Sequence, residues 1–167
     1  MRAKVKIEDA FDDYHQAVFD FAYRLTRSAD VAEDIAQDCF LALVRAPERF
    51  NPDRGTLKSY LFAIARNLVL KNYRDQRTTE AAGLDLASDP RSSLEISSAV
   101  ESAIAGLPHL QQEALVLFQY GGLALEEIAD IVGADVGTVK SRLHRARERL
   151  RKELAPFRNV GGVHGTF

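Results

Sequence analysis

The 167-residue chain has little of the chemistry that builds crosslinked, metal-binding or membrane-embedded proteins. Cys39 is its one cysteine, which excludes an intramolecular disulfide and a cysteine-based zinc site. The histidines show no ligand spacing, so we expect neither a metal nor a cofactor. No apolar run approaches the length that crosses a bilayer, and residues 1–6 lack a following apolar segment. We therefore expect a soluble cytoplasmic protein without membrane insertion.

Glycine and proline are also sparse, with 10 and 5 residues, and no stretch alternates at period two as a strand does. Apolar residues recur at three- and four-residue intervals instead, which predicts an all-α protein. Helices are predicted at about 10–27, 31–46 and 57–76, with Asp30 capping the second. We expect two small helical domains joined by a flexible linker. Their bounds are 1–76 for the first domain, 77–94 for the linker, 95–154 for the second domain and 155–167 for a disordered tail.

Periodicity fails in the predicted linker, where small and polar residues dominate. Its 18 residues could span about 60 Å if fully extended. One turn of DNA is roughly 34–36 Å long. The linker could therefore hold two modules on sites more than a helical turn apart.

Charge divides the chain, although its formal net charge is only −2. Acidic residues dominate at 8–38, where Arg24 and Arg27 are the basic side chains. Residues 136–152, in contrast, carry seven basic side chains and one acidic one. This asymmetry indicates two different partners, with nucleic acid at the basic end.

Residues 123–151 predict two helices joined by a tight turn at Gly133. A short helix, a turn and a basic helix form the helix-turn-helix that places its second helix in a DNA major groove. On that second helix, Ser141, His144 and Arg145 lie opposite the apolar side. The alternative is a helical hairpin with a solvated charged face, but the density and single sign of the charge favour DNA.

The second predicted helix has apolar residues outside its core side. Leu41 and Val44 share a side with Glu33, Asp34 and Gln37. Apolar groups on an acidic outer face indicate a partner surface. Another helix of the same domain could equally cover them, and the pattern alone does not decide.

The third predicted helix carries aromatic and basic residues on one side, namely Phe62, Arg66, Tyr73 and Arg77. Rings can stack on unpaired bases while guanidinium groups contact the phosphates, as in single-stranded nucleic-acid binding. However, aromatic residues at helical spacing are more often core residues, and that alternative stays open.

Several motifs, in the right order over about residues 10–154, resemble the extracytoplasmic-function group of bacterial sigma factors. Residues 29–38 (ADVAEDIAQD) resemble the family's region 2.2, and residues 62–67 (FAIARN) resemble the helix leading into region 2.4. Residues 107–108, 127–129, 137–142 and 145–147 resemble region 4. Each motif is weak alone, whereas their combination and order are specific.

The resemblance implies a transcription initiation factor that is not an enzyme and has no small-molecule substrate. Its partners would be core RNA polymerase, through the beta-prime clamp helices and the beta flap, promoter DNA, and an anti-sigma factor. It assigns polymerase binding to Glu33, Asp34, Gln37, Asp38, Leu41 and Val44. It assigns the −35 element to Thr138, Lys140, Ser141, Arg142, His144, Arg145 and Arg147. It assigns the melted −10 strand to Asn51, Arg54, Gly55, Thr56, Phe62, Arg66, Asn67, Lys71, Asn72, Tyr73 and Arg74.

The chain departs from the family pattern at three positions. Tyr60 stands where many members have Trp, while Gln112 and Ala124 stand where Arg and Ser or Thr are frequent. These changes affect packing, polymerase contacts and helix capping.

Two other functional classes fit the chain less well. A helix-turn-helix repressor or response regulator would need a dimerisation element or a receiver domain, and the first half predicts neither. A resolvase-like DNA enzyme would need a nucleophile beside a base or metal cluster, and none is evident before Arg77.

Overall fold

The computed structural model describes residues 5–79 and 95–157. Seven α-helices form within these ranges, and no strand does, as the all-α prediction requires. They are α1 (Ile7–Thr26), α2 (Ala29–Arg45), α3 (Leu57–Thr79), α4 (Glu95–Ala105), α5 (His109–Gln119), α6 (Leu125–Val132) and α7 (Val136–Glu153), with 3-10 turns at Pro47–Arg49 and Ala155–Phe157. We call α1–α3 the N-terminal group and α4–α7 the C-terminal group.

The turn between α1 and α2 is short because both helix ends are satisfied locally. Arg27 adopts the left-handed conformation (φ 59°), and its N–H donates to the Tyr23 carbonyl. The Ser28 hydroxyl accepts a hydrogen bond from the Val31 N–H at 3.3 Å. Ser28 is therefore the N-cap of α2, and the prediction of Asp30 as the cap was wrong. Asp30 lies in the first turn, where its charge favours the helix dipole.

The N-terminal group packs its three helices around a core that is fully apolar. Val18 and Phe21 from α1 meet Cys39 and Leu43 from α2, and all four are 0% exposed. The thiol of Cys39 donates to the Leu61 carbonyl, and burial raises its pKa to about 12. Cys39 is thus a buried core thiol and not a reactive one.

The C-terminal group packs α7 against α5 and α6. The buried side of α7 consists of Val139, Leu143, Ala146 and Leu150, at the intervals predicted from the sequence. Gly133 ends α6 in the left-handed conformation (φ 69°), so that α7 can begin three residues later. These features confirm the predicted pair of helices and the turn between them.

The two groups lie against each other instead of apart. Contacts join α3 to α6 and α1 to α4 and α5, and one cluster of buried apolar side chains runs through both groups. The end of α5 comes close because residue 121 is glycine. A Cβ there would lie 2.5 Å from the Leu117 carbonyl oxygen and 3.3 Å from the Phe62 ring.

Some predictions made from the sequence concern residues outside the described ranges. Most of the predicted linker is among them, although α3 continues through Thr79, beyond the predicted boundary at residue 76. Most of the predicted tail is also outside, and its first residues form the 3-10 turn at Ala155–Phe157.

Candidate nucleic-acid interface

The face of α7 opposite the core is open to solvent. Lys140, Ser141, His144 and Arg145 are exposed, as the helical pattern predicted. Thr138, Arg142 and Arg147 are half-buried at the edges of this face. We call these seven residues the α7 basic face.

Contacts within α7 and with α5 already engage part of this face. The Ser141 hydroxyl donates to the Gly137 carbonyl at 3.1 Å, and His144 Nε2 lies 3.4 Å from a carboxylate oxygen of Glu148. The Arg147 guanidinium lies 5.3 Å from the centre of the Phe118 ring. Arg145, in contrast, projects into solvent, so it is the guanidinium best placed to meet a ligand.

The start of α7 is fixed by a charged cap. The Asp135 carboxylate accepts a hydrogen bond from the Thr138 N–H at 2.7 Å. That bond is the main cause that lowers the pKa of Asp135 below its ordinary value, and the Thr138 side chain and Arg142 add to it. The cap sets where α7 begins, and with it the direction in which its outer face projects.

The outer face of α2 carries a mixed acidic and apolar surface. Asp34, Gln37 and Asp38 are exposed, and Leu41 and Val44 are 43% and 47% exposed. Glu33 is half-buried and accepts a hydrogen bond from the Gln37 amide. We call these six residues the α2 outer face. Within the described residues no other helix covers Leu41 and Val44, which removes the alternative left open by the sequence.

Phe11 extends this surface onto α1, which the sequence did not predict. Phe11 lies at helical spacing from the buried Val18 and Leu25, but its side chain is 43% exposed. Its ring lies 4.4 Å from His15 and 5.2 Å from Phe40, between centroids. Helical periodicity identifies the buried side of a helix but not where that side ends. Phe11 lies at the boundary between the buried and the exposed side of α1.

The residues assigned to the −10 strand differ widely in their exposure to solvent. Arg54, Gly55, Thr56, Asn67, Lys71 and Arg74 are exposed, whereas Asn51, Arg66, Asn72 and Tyr73 are half-buried. Phe62 is 0% exposed. We call the ten residues other than Phe62 the α3 face.

Phe62 corrects the expectation that its ring faces nucleic acid. It packs edge-on against Phe21, with 5.4 Å between ring centroids, in the core of the N-terminal group. The alternative kept open for aromatic residues at helical spacing therefore holds for Phe62. Burial of this large ring stabilises the fold and leaves no surface for base stacking.

Tyr73 is also held by protein contacts in this arrangement. Its hydroxyl donates to the Leu25 carbonyl, and its ring meets His109 of α5 edge-on at 5.4 Å. Burial, with a smaller contribution from the Glu113 charge, raises the pKa of Tyr73 to about 12. The hydroxyl therefore stays protonated at neutral pH and remains a donor.

Arg66 is half-buried and contacts the C-terminal group. Its Nε donates to the Glu113 carboxylate, and its Nη1 donates to the Ile131 carbonyl at 3.3 Å. Glu113 is 0% exposed, one of two polar residues buried among those described. The sequence contained a signal for this site that was missed, because Glu113 lies four residues before Leu117 on the apolar side of α5.

The loop before α3 is ordered by its own side chains. The Thr56 hydroxyl accepts from the Ser59 N–H at 3.1 Å and donates to Glu127 of α6 at 3.1 Å. The Asn51 side chain accepts from the Asp53 N–H at 3.0 Å. A cleft between this loop and α6 is lined by Asn51, Arg54, Thr56, Glu127 and Asp130, among others.

The three departures from the family pattern have visible consequences. Tyr60 packs beside Phe50, with 5.4 Å between ring centroids. Gln112 is buried and donates to the Arg24 carbonyl at 3.4 Å. Ala124 has no side chain to cap α6, and the Glu127 carboxylate instead accepts from the Ala124 N–H at 3.0 Å.

The described residues offer neither a metal site nor a membrane-spanning helix. Over 5–79 and 95–157, no group of three or more His, Cys, Asp or Glu side chains could hold a metal ion. None of the helices in the same ranges is both long and apolar enough to cross a membrane.

Comparison with known proteins identifies the family. The family model for sigma-70 region 2 matches residues 10–79, and the model for sigma-70 region 4 matches residues 97–150. The RNA polymerase sigma factor SigW of Bacillus subtilis is 32% identical, over 88% of this chain and 90% of that protein. The sigma factor EcfG of Rhodopseudomonas palustris is 36% identical, over 78% and 75% of the two chains.

A solved structure agrees with this assignment. The sigma factor RpoE of Bartonella quintana, in complex with the anti-sigma factor NepR, superposes with a TM-score of 0.75 and 28% identity, over 89% of this chain and 96% of that one. The chain therefore belongs to the extracytoplasmic-function (ECF) sigma factors of the sigma-70 family, which are transcription initiation factors and not a known class of enzyme.

Proposed function

We propose that this sigma factor starts transcription at a promoter that it reads with two separate surfaces. The α7 basic face reads the −35 element as duplex DNA, and the α3 face holds the melted strand of the −10 element. The α2 outer face binds core RNA polymerase, which performs the chemistry. The protein works in the cytoplasm, without a catalytic site of its own.

The exposed α7 basic face is the observation that carries this proposal. Lys140 and Arg145 are exposed on one side of α7, while its apolar side is buried in the protein. The helix can therefore enter a major groove while its apolar side stays packed in the core. Arg145 can donate two hydrogen bonds to a guanine edge, whereas Lys140 and Arg142 can contact phosphates.

Polymerase binding is supported by exposed apolar groups among acidic ones. Leu41 and Val44 would be covered by the partner, while Asp34 and Asp38 would meet its basic side chains. Such a mixture of apolar centre and charged rim is typical of protein interfaces. The same surface suits an inhibitory partner, and the relative from Bartonella quintana is bound to an anti-sigma factor. We propose that an anti-sigma factor controls this protein too.

Strand capture is supported by the exposed amide and amine groups of α3. Asn67, Lys71 and Arg74 are exposed at helical spacing on α3, and the loop that carries Asn51 and Arg54 precedes this helix. Unstacking a base costs a few kcal/mol, so edge contacts and phosphate contacts must offset that cost. With Phe62 in the core, hydrogen bonds and charge would have to do so without that ring.

The experiment that tests this function is a pull-down with core RNA polymerase followed by transcription in vitro. The template is a promoter that the reconstituted holoenzyme selects from a randomised library. We expect stoichiometric binding to core polymerase and transcription that requires both selected elements. A protein that binds duplex DNA tightly as a dimer, and never engages polymerase, would contradict the proposal.

A further inference from the structure

A cavity of about 700 Å³ lies between the C-terminal half of α3 and the start of α5. Its lining side chains include Asn67, Leu70, Arg74, Arg77, His109 and Gln112. Binding sites for small molecules have volumes of about 300–1,000 Å³ and combine apolar walls with a few polar groups. This cavity, which we call the α3–α5 cavity, has the size and the mixed lining of such a site.

The α3–α5 cavity is positively charged. Arg74 and Arg77 lie three positions apart on α3, so their side chains are neighbours on the helix surface. Both are exposed, and neither has a hydrogen bond or an ion pair among the described residues. No Asp or Glu side chain lines the cavity within residues 5–79 and 95–157. Two cations without a counter-charge indicate an anionic ligand, and guanidinium groups suit phosphate because they donate two parallel hydrogen bonds.

Carboxylates accompany the arginines elsewhere on α3 and on the loop before it. Arg66 donates to Glu113, which is fully buried and does not line the cavity. The cleft between the loop and α6 contains Arg54, but Glu127 and Asp130 line it as well. The α3–α5 cavity thus differs from both places, because its cations face no carboxylate among the described lining residues.

The start of α5 adds to the positive potential. This helix begins at His109, and its N-cap residue, Pro108, provides no side-chain acceptor for the N–H groups of the first turn. The N-terminus of a helix carries a partial positive charge that favours anions. Because His109 lines the cavity, the positive end of α5 lies at the wall opposite the two arginines of α3.

The other lining groups suit a flat ring system with polar edges. Leu70 and Leu107 provide apolar surface. Asn67 is exposed and has no hydrogen bond among the described residues. Gln112 is 7% exposed, and its amide nitrogen donates to the Arg24 carbonyl, which leaves its amide oxygen as an acceptor. Asn and Gln side chains can pair with the donors and acceptors on the edge of a nucleobase.

We propose that the α3–α5 cavity binds a nucleoside phosphate. Arg74 and Arg77 hold the phosphate near the start of α5, and the base lies against the leucines with its edge at the two amides. Asn67 and Arg74 also belong to the α3 face, so the bound ligand competes with the −10 strand. That competition rests on the −10 assignment made above, whereas the binding site itself does not.

Calorimetric titration of the full chain tests the site. The probes are the four ribonucleoside diphosphates, with inorganic pyrophosphate and the four nucleosides as partial ligands. We expect one diphosphate to bind about tenfold tighter than pyrophosphate and than its own nucleoside, because it contacts both parts of the cavity. Failure of all four diphosphates to bind, or binding no tighter than that of pyrophosphate, would overturn the proposal.

Arg77→Gln removes one of the two cations and should weaken nucleotide binding about tenfold, because a hydrogen bond to a charged group contributes about that factor. Arg45→Gln is the matched control. Arg45 is also an exposed arginine in the last turn of a helix, but it does not line the cavity. We expect this control to retain the affinity. Equal losses for the two variants would show a general charge effect and contradict the site.

The melting temperature provides a second measure of binding. A ligand that binds only the folded protein should raise the melting temperature of a chain of this size by about 5–10 °C, at about a hundredfold excess over its Kd. Without nucleotide, Arg77→Gln should melt at the same temperature as the unsubstituted chain, which checks that it folds. With nucleotide, its shift should be smaller. The absence of a shift in the unsubstituted chain would count against the proposal.

Competition with a fluorescent single strand that carries the selected −10 element separates this inference from the proposed function. We expect nucleotide to weaken strand binding to the unsubstituted chain, and to do so much less in Arg77→Gln. If nucleotide binds in the cavity and strand affinity is unchanged, the site stands and the −10 assignment of Asn67 and Arg74 is wrong. If the strand binds and no nucleotide does, the −10 assignment stands and the nucleotide site is wrong.

Discussion

Helices α3 and α7 both combine a buried apolar side with a basic one, yet the structure treats the two basic sides in opposite ways. On α7, Lys140 and Arg145 project into solvent, and the nearby carboxylates are those of the same helix. On α3, Arg66 is held by Glu113 and the Ile131 carbonyl of the other group. One basic side is open and the other is partly covered.

The helical pattern of α3 and α7 therefore does not by itself predict which of their basic sides is free to contact a ligand. A face that reads duplex DNA can stay open at little cost, because its charges are solvated. A face that holds an unpaired strand needs apolar and polar groups together, and these also attract the protein's own helices. Four substitutions test this contrast between α3 and α7, and we give them in order of decreasing effect.

The largest effect concerns the boundary between core and ligand face on α3. Phe62→Ala should lower the free energy of unfolding by about 3–5 kcal/mol, because it leaves a cavity against Phe21. Urea unfolding followed by circular dichroism measures this change. Asn67→Ala, one exposed residue on the same helix, should stay within about 0.5 kcal/mol. If Phe62→Ala lowers the free energy of unfolding as little as Asn67→Ala does, the Phe62 ring is not a core residue and the assignment to the DNA face stands.

On the open face of α7, we expect Arg145 to contact a base and Lys140 to contact a phosphate. Arg145→Ala should weaken binding of the holoenzyme to the selected −35 element by about 1–3 kcal/mol, and less on other sequences. Lys140→Ala should weaken all sequences alike and reduce the salt dependence by about one counterion. Filter binding over a salt series measures both. Equal loss on every sequence with Arg145→Ala would exclude base reading by that residue.

The acidic face of α2 should be independent of both basic faces. Asp34→Arg places a cation on the exposed α2 outer face and should weaken core polymerase binding about tenfold, or roughly 1.4 kcal/mol. Competition against the unsubstituted protein for core polymerase measures the change. Asp13, exposed on α1 in a depression shared with Pro52 and Leu57, offers Asp13→Arg as a charge-matched control that should retain affinity. Unchanged affinity for Asp34→Arg would remove α2 from the interface.

The smallest effect is a difference in pH dependence between the N-terminal caps of α7 and α3, which are Asp135 and Thr56. The pKa of Asp135 is lowered in the folded protein, so its stabilisation is present above its ordinary value of 3.8 and is lost as pH falls through the folded value. The Thr56 hydroxyl that caps α3 does not titrate. We expect the difference in melting temperature between the unsubstituted chain and Asp135→Ala to shrink below pH 4, and that for Thr56→Ala to stay constant. A constant difference for both would contradict the role of the Asp135 charge.

Much of the fold could be predicted from the sequence because it depends on local rules. Periodicity located α7 and its buried side, from Val139 to Leu150, and Gly133 marked the turn. The exposure of Leu41 and Val44 was one of two alternatives that the sequence left open, and the structure decided between them. The cap at Ser28 was missed, because Asp30 with Glu33 offered an equally good local pattern.

The docking of the two groups could not be predicted, because it depends on contacts between residues far apart in the chain. Arg66 and Glu113 are 47 positions apart, and Thr56 and Glu127 are 71 apart. Phe62 was misplaced for a related reason. Phe62 lies on the side of α3 that also carries basic residues, but Phe21 and Gly121, after the end of α5, pack against its ring and bury it.

We infer that the α3 and α7 faces read different forms of DNA. This is tested most directly by measuring the holoenzyme with Asn67→Ala or Arg145→Ala on two probes, a duplex −35 element and a single-stranded −10 element. We expect Asn67→Ala to weaken binding to the strand alone and Arg145→Ala to weaken binding to the duplex alone. Losses of equal size on both probes, for either variant, would contradict it.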